Sequence, residues 1–136
     1  MTAVNSLSTY DCLDDANRRA FDCLWADLPA FSGYWLDSVD FAPDSTYTEL
    51  YSSMRLVLQD GICPGVEFPS FYLLTKDMLL ARLQGDVGHY FANHARDYFR
   101  QFGKDVLNGD FSCVDYDSDV TDVALQRVLF GEVLFA

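Results

Sequence analysis

Apolar residues recur at intervals of three and four from Leu13 through Ala16, Ala20, Phe21, Leu24 and Trp25 to Leu28, the spacing that lines one face of an α-helix. A first helix is therefore predicted over residues 11–28, stopped near Pro29. Its opposite face mixes Asp14, Asp15, Asp22 and Asp27 with Arg18 and Arg19. The aromatic segment 31–41 holds Gly33 near its start and alternates partially after it, which predicts a turn leading into a short extended piece. Further on, Thr46 and Glu49 have capping-box spacing, and Tyr47, Leu50, Tyr51, Met54, Val57 and Leu58 keep the helical period. A second helix is expected there, ended by Gly61.

Pro64, Gly65 and Pro69 interrupt the apolar stretch 62–74, which reads as an ordered connection packed on the core with a short strand at 71–74. Thr75 can cap a helix over residues 76–84. Beyond Gly85, Val87, Tyr90, Phe91, His94, Tyr98 and Phe102 share one broad face, predicting a single helix that stops at Gly103. The last helix is expected to begin between Ser118 and Thr121 and to carry Val123, Ala124, Val128, Leu129 and Val133 to the end. Together these signals predict a mainly α, compact single domain of residues 1–136 with about five helices. An α+β arrangement, with a small sheet drawn from the segments near Trp35, Phe71 and Cys113, is the alternative. A chain of this length buries a core without needing disulfides or metal.

Charge changes this picture more than composition does. The formal net charge is −12, glutamate occurs only at Glu49, Glu67 and Glu132, and lysine only at Lys76 and Lys104. Such a chain repels phosphate backbones and anionic lipids and is drawn to basic surfaces, which in a cell are largely the nucleic-acid channels of other proteins. Excess charge also serves solubility, or a high-salt habitat. Residues 1–8 lack the basic start and apolar stretch of a signal peptide, and no apolar run is long enough to span a bilayer, so a cytoplasmic location is expected. Cys12, Cys23, Cys63 and Cys113 form no CxxC pair and read as reduced, small apolar residues, with Cys12 and Cys23 on one face of the first helix.

Candidate chemistry is sparse. Residues 115–122 alternate aspartates like the opening of a calcium loop, but Val120 stands where the turn glycine belongs and Gln126 where the bidentate glutamate belongs. Asp119 and Asp122 serve there as favourable charges at a helix N-terminus. His89 and His94 are five apart, which offsets them on a helix; the reading is His94 on the aromatic face and His89 exposed. No GxSxG, HExxH, Walker or GxGxxG motif is present, so neither a cofactor nor catalysis is expected. The wealth of tyrosine and tryptophan among acidic residues suits protein interfaces as well as a core.

In its size, aspartate excess and lack of catalytic motifs the chain resembles the small acidic anti-CRISPR and antirestriction proteins of phages and plasmids, and Gly33-Tyr34-Trp35 is similar to a Gly-Tyr-Trp element of one plasmid antirestriction family. The resemblance implies an inhibitor that binds a CRISPR effector or restriction enzyme in the host cytoplasm, by filling a basic DNA channel with carboxylates placed like phosphates. The expected partner-binding residues are Asp110, Asp115, Asp117, Asp119 and Asp122, the densest acidic stretch without an intervening Lys or Arg, with Tyr116 stacking in place of a base. Two other classes stay open: an adaptor or regulatory subunit docking its acidic surface on a basic partner, marked by an exposed apolar groove, and a small enzyme, marked by a deep pocket with perturbed ionisable groups.

Overall fold

The computed structural model describes residues 9–41 and 52–136. Within them the chain forms five α-helices and a small antiparallel sheet: α1 (Asp15–Asp27), β1 (Leu36–Phe41), β2 (Ser53–Leu58), β3 (Tyr72–Thr75), α2 (Lys76–Leu83), α3 (Asp86–Ala92), α4 (Asp97–Leu107) and α5 (Ser118–Phe130), with 3-10 turns at Tyr10–Cys12 and Phe111–Cys113. It is mainly helical with a minor sheet, the α+β form of the expectation. The strand order is β1-β2-β3.

The first helix starts later than its periodicity predicts, because Asp14 leaves the helical conformation and caps it. Its carboxylate accepts from the Asn17 backbone N–H at 2.8 Å, satisfying a donor that the first turn leaves free. Phe21, Leu24, Trp25 and Leu28 then enter the core as the pattern requires. Thr75 caps α2 as expected, accepting from Met78 N–H at 3.1 Å. Asp117 caps α5 through Val120 N–H at 2.9 Å. That last helix ends at Phe130, before Val133, where Gly131 turns the chain with φ 76°.

The predicted second helix is corrected. Its capping box and residues 47–51 lie outside the described residues, but Ser53–Leu58 is a strand. Met54, Leu56 and Leu58 are buried while Arg55 is exposed, a period of two. Met54 pairs with both Phe41 and Leu74, and Leu56 with Val39 and Tyr72, so β2 gains neighbours on both sides. Gly61 accordingly serves a turn after a strand, with φ 65°. The segment near Cys113 does not join the sheet; it is a 3-10 turn whose Phe111 meets the Phe21 ring edge-on at 5.2 Å.

The long helix expected over residues 86–102 is two helices, broken over residues 93–96. The Asn93 side chain donates to the His89 carbonyl at 2.9 Å, and His94 Nδ1 accepts from Arg96 N–H at 3.1 Å, closing the turn. Gly103 does not stop α4 but lies buried inside it. A Cβ there would come within 2.1 Å of the Ala92 nitrogen, so the glycine is what lets α3 and α4 touch backbone to backbone. His94 lies between Tyr90 and Phe99, with centroids at 5.8 and 4.7 Å, and His89 is exposed.

The cysteines depart from their reading as packed apolar residues. Cys12, Cys23 and Cys113 are exposed and Cys63 half-buried, all four as free thiols. Cys12 lies in the 3-10 turn, off the first helix. The most buried charges are elsewhere: Asp22 on α1 and Lys76 at the start of α2 pair at 2.9 Å, and the Tyr10 hydroxyl donates to both Asp22 oxygens at 2.8 and 2.9 Å. The Lys76 ammonium also sits 4.8 Å from the centre of the Tyr10 ring.

Candidate functional site: an acidic and aromatic end

Five of the six nominated partner-binding residues lead into α5 or lie on it, and the fold uses them differently. Asp122, one turn into the helix, points back at the turn before β1. Its carboxylate accepts from Ser32 Oγ at 2.7 Å, from Trp35 Nε1 at 2.8 Å, from Gln126 Nε2 at 3.2 Å and from the Tyr34 hydroxyl. Ser32 and Trp35 are fully buried, so their polar atoms need this acceptor. Gln126, one further turn along, accepts at Oε1 from Leu134 and Phe135 N–H, both at 2.8 Å. Phe135 stacks on Trp35 with centroids 5.5 Å apart. Asp122 and Gln126 thus bind the Gly33-Tyr34-Trp35 turn and residues 134–135 to the same helix.

Tyr116 is likewise committed, its hydroxyl donating to Asp27 Oδ2 at 2.8 Å. Asp117 caps α5 and still exposes its residue to solvent. Asp115 and Asp119 are exposed, and Asp119 faces Arg96 at 3.9 Å. Asp110 is exposed at the start of the 3-10 turn Phe111–Cys113. Tyr98 on α4, absent from the nominated set, lies beside Asp115 and Asp117: burial and then these two charges push its hydroxyl up from the ordinary tyrosine value. Phe31 and Tyr34 flank the same end and are 60% and 45% exposed. Their exposure comes from the tertiary placement of a loop, which no periodicity in the sequence reports. No local signal separates Asp122 from the other nominated aspartates, because the donors it accepts from at Ser32 and Trp35 are distant in sequence.

Among the described residues Tyr10 donates to Asp22, Tyr34 to Asp122 and Tyr116 to Asp27, and Tyr98 is hydrogen-bonded to Asp115. Burial, the hydrogen bond and the carboxylate charge all favour the neutral phenol, pushing Tyr34 up to about 12 and Tyr10 and Tyr116 higher still. Each folded value lies above the unfolded one, so the folded state holds these protons more tightly. The stability they contribute is complete below pH about 10 and is lost as pH rises through the folded values. We expect the thermal midpoint to begin falling above pH about 10, with a smaller fall in Tyr34→Phe. A midpoint that stays flat while tyrosinate absorbance rises would contradict this.

Among the described residues no group of three or more His, Cys, Asp or Glu side chains converges as a metal site, and no helix is long and apolar enough to cross a membrane. A separate apolar groove of about 310 Å³ runs beside β3, with Leu74, Ala81, Val128 and Leu129 in its walls and Leu73 and Met78 exposed at its rim. The fold and these surfaces define a mainly helical α+β protein that exposes Asp117 and Asp119 near the rings of Phe31 and Tyr34. No family model matches the chain, and neither does any curated protein or solved structure.

Proposed function

We propose that this protein acts by binding and not by catalysis: its acidic end docks on the basic surface of a nucleic-acid-handling partner and blocks the channel that would hold nucleic acid. A CRISPR effector or restriction enzyme is the partner that the resemblance in size, aspartate content and the Gly-Tyr-Trp element suggests. The observation carrying this reading is the exposure of Asp115, Asp117 and Asp119 together beside Tyr98 and Arg96, on a chain of net charge −12. An aspartate holds its carboxylate close to the backbone and therefore with little freedom, and these three lead into and begin α5. Tyr116 and Asp122 serve this surface by fixing its shape, since their polar atoms are bonded inward.

The test is a pull-down from a lysate containing CRISPR and restriction complexes, followed by binding measurements across a salt series. Replacing Asp115, Asp117 and Asp119 together by Asn removes three charges, and the amide oxygen introduced by Asp117→Asn still accepts the capping hydrogen bond. Affinity for the captured partner is expected to fall roughly tenfold or more at low salt, with a shallower salt dependence. DNA should compete with the wild type. Unchanged affinity in the triple variant, or DNA and this protein bound together without mutual effect, would sink channel blocking.

A second reading, an adaptor, is favoured by the apolar groove beside β3. In that case Leu73→Asp or Met78→Lys would abolish partner binding while the triple Asn variant would bind like the wild type.

A further inference from the structure

A recess of about 650 Å³ opens between the turn preceding β1, the α3–α4 turn, the first half of α5 and residues 133–136. Its walls are largely aromatic, with Phe31, Tyr34, Tyr90 and Phe99 facing it, and Asp119 and Asp122 are its acidic side chains. Two of these rings already carry a guanidinium: Arg96 lies 4.3 Å from the centre of Phe99, and Arg127 lies 4.0 Å from that of Tyr90. Phe31 is the most exposed large apolar side chain among the described residues, at 60%. It also borders a smaller recess of about 410 Å³ that includes Asp27 and Asp117, so its ring is a ridge with carboxylates on either side.

The two acids of the larger recess are not equivalent. Asp122 is filled by four donors and contributes charge alone. Asp119 is 67% exposed, and its separation of 3.9 Å from Arg96 is too long for a hydrogen bond. Its oxygens are therefore free to accept from an incoming donor. An exposed ring beside a carboxylate with open acceptor sites fits a planar cation: guanidinium stacks on the ring face while its in-plane N–H groups reach the carboxylate. A lysine ammonium offers no plane to stack.

We propose that this recess seats an arginine side chain of the partner, stacked on Phe31, the most exposed of its rings, and bonded to Asp119. The proposal rests on the acidic-docking reading and names the residue type that reading must find. Arg96 lines the recess beside Asp119 and opposes an incoming cation, and this fixes the sign of a test.

N-acetyl-arginine methylamide is titrated into the whole protein and followed by two-dimensional NMR, with the lysine and citrulline analogues alongside. The arginine probe is expected to saturate with shifts confined to the amides around residues 31–34, 90–99, 118–123 and 133–136. Citrulline, which keeps the shape and lacks the charge, should not bind, and lysine should bind more weakly than arginine. Phe31→Ala should weaken the probe roughly threefold to fivefold, the size of an exposed cation–ring contact, and Asp119→Asn should also weaken it. Arg96→Gln should tighten it. All three substituted side chains are exposed, and an unchanged thermal midpoint checks that each variant is folded. Shifts spread evenly over the acidic surface, equal binding of lysine, no saturable binding, or weaker binding in Arg96→Gln would each overturn the proposal. The two readings fail separately. Probe binding in the recess without capture of a basic partner would remove channel blocking and leave the arginine seat. Partner binding that Phe31→Ala does not change would remove the seat and leave the docking.

Discussion

Replacing Lys76 by Met is expected to destabilise the fold by about 3–5 kcal/mol, the cost of stranding a buried carboxylate. The side chains of Lys76 and Asp22 are only 6% and 9% exposed, and they meet at 2.9 Å between the start of α2 and the middle of α1. The Tyr10 hydroxyl would remain on Asp22, but it supplies one proton and no charge. Removing both charges, as in Asp22→Leu with Lys76→Met, should recover much of the loss, because a well-packed apolar pair replaces a desolvated ionic one. Urea unfolding of the wild type, the single variant and the double variant measures this. A loss below about 1 kcal/mol in Lys76→Met would place the pair in the range of a solvated surface bridge and contradict its burial.

Gly103→Ala is the other large effect, expected near the upper end of overpacking costs, about 3 kcal/mol. Its added Cβ meets backbone, with the Ala92 nitrogen at 2.1 Å and the Phe91 carbonyl carbon at 2.6 Å, so no side-chain rotation can relieve it. The helices must separate, and Phe91 and Phe102, whose rings lie 4.9 Å apart across that contact, lose their packing. Alanine is the better helix former, so the helical propensity of the site improves while the protein weakens. Gly33→Ala is the control, since nothing lies within 4 Å of a Cβ there. Equal thermal midpoints for Gly103→Ala and Gly33→Ala would show that the helices are not in backbone contact.

Local chemistry carried part of the fold in legible form. The Thr75 cap, the core stripe of α1, the start of α5 and short extended pieces near residues 36 and 72 each depend on neighbours within a few positions, and each is found. The failures share a cause. Met54, Val57 and Leu58 satisfy a helical period and Met54, Leu56 and Leu58 a strand period, and what decides between them is β1 and β3 on either side, which are distant in sequence. The α3–α4 break is hidden because Phe91, Phe99 and Phe102 all reach one core, so the apolar pattern runs on through the turn. Gly103 looks like a stop signal because glycine ends helices more often than it allows two to cross.

The candidate site was legible as charge and illegible as geometry. That Asp115 to Asp122 form an acidic stretch is plain in the letters, and so is their place at a helix start. Which carboxylates face outward is settled by Ser32 and Trp35, about ninety residues earlier in the chain, which turn Asp122 inward. Phe31, Tyr34 and Tyr98 join the surface for the same nonlocal reason.

The bonds that fasten the turn before β1 to α5 bear on the kinetics of recognition. Asp122 holds Ser32, Tyr34 and Trp35 at once, and Gln126 holds residues 134–135, so Phe31 and the first turn of α5 are presented in one arrangement before any partner arrives. A surface assembled in advance spends little conformational entropy on association. If the proposed docking on a basic partner holds, long-range attraction between opposite charges governs encounter, so the on-rate should respond to ionic strength while the off-rate follows the fit of the contact. The heat-capacity change on binding should match the apolar area covered, with no added contribution from a segment folding at the interface.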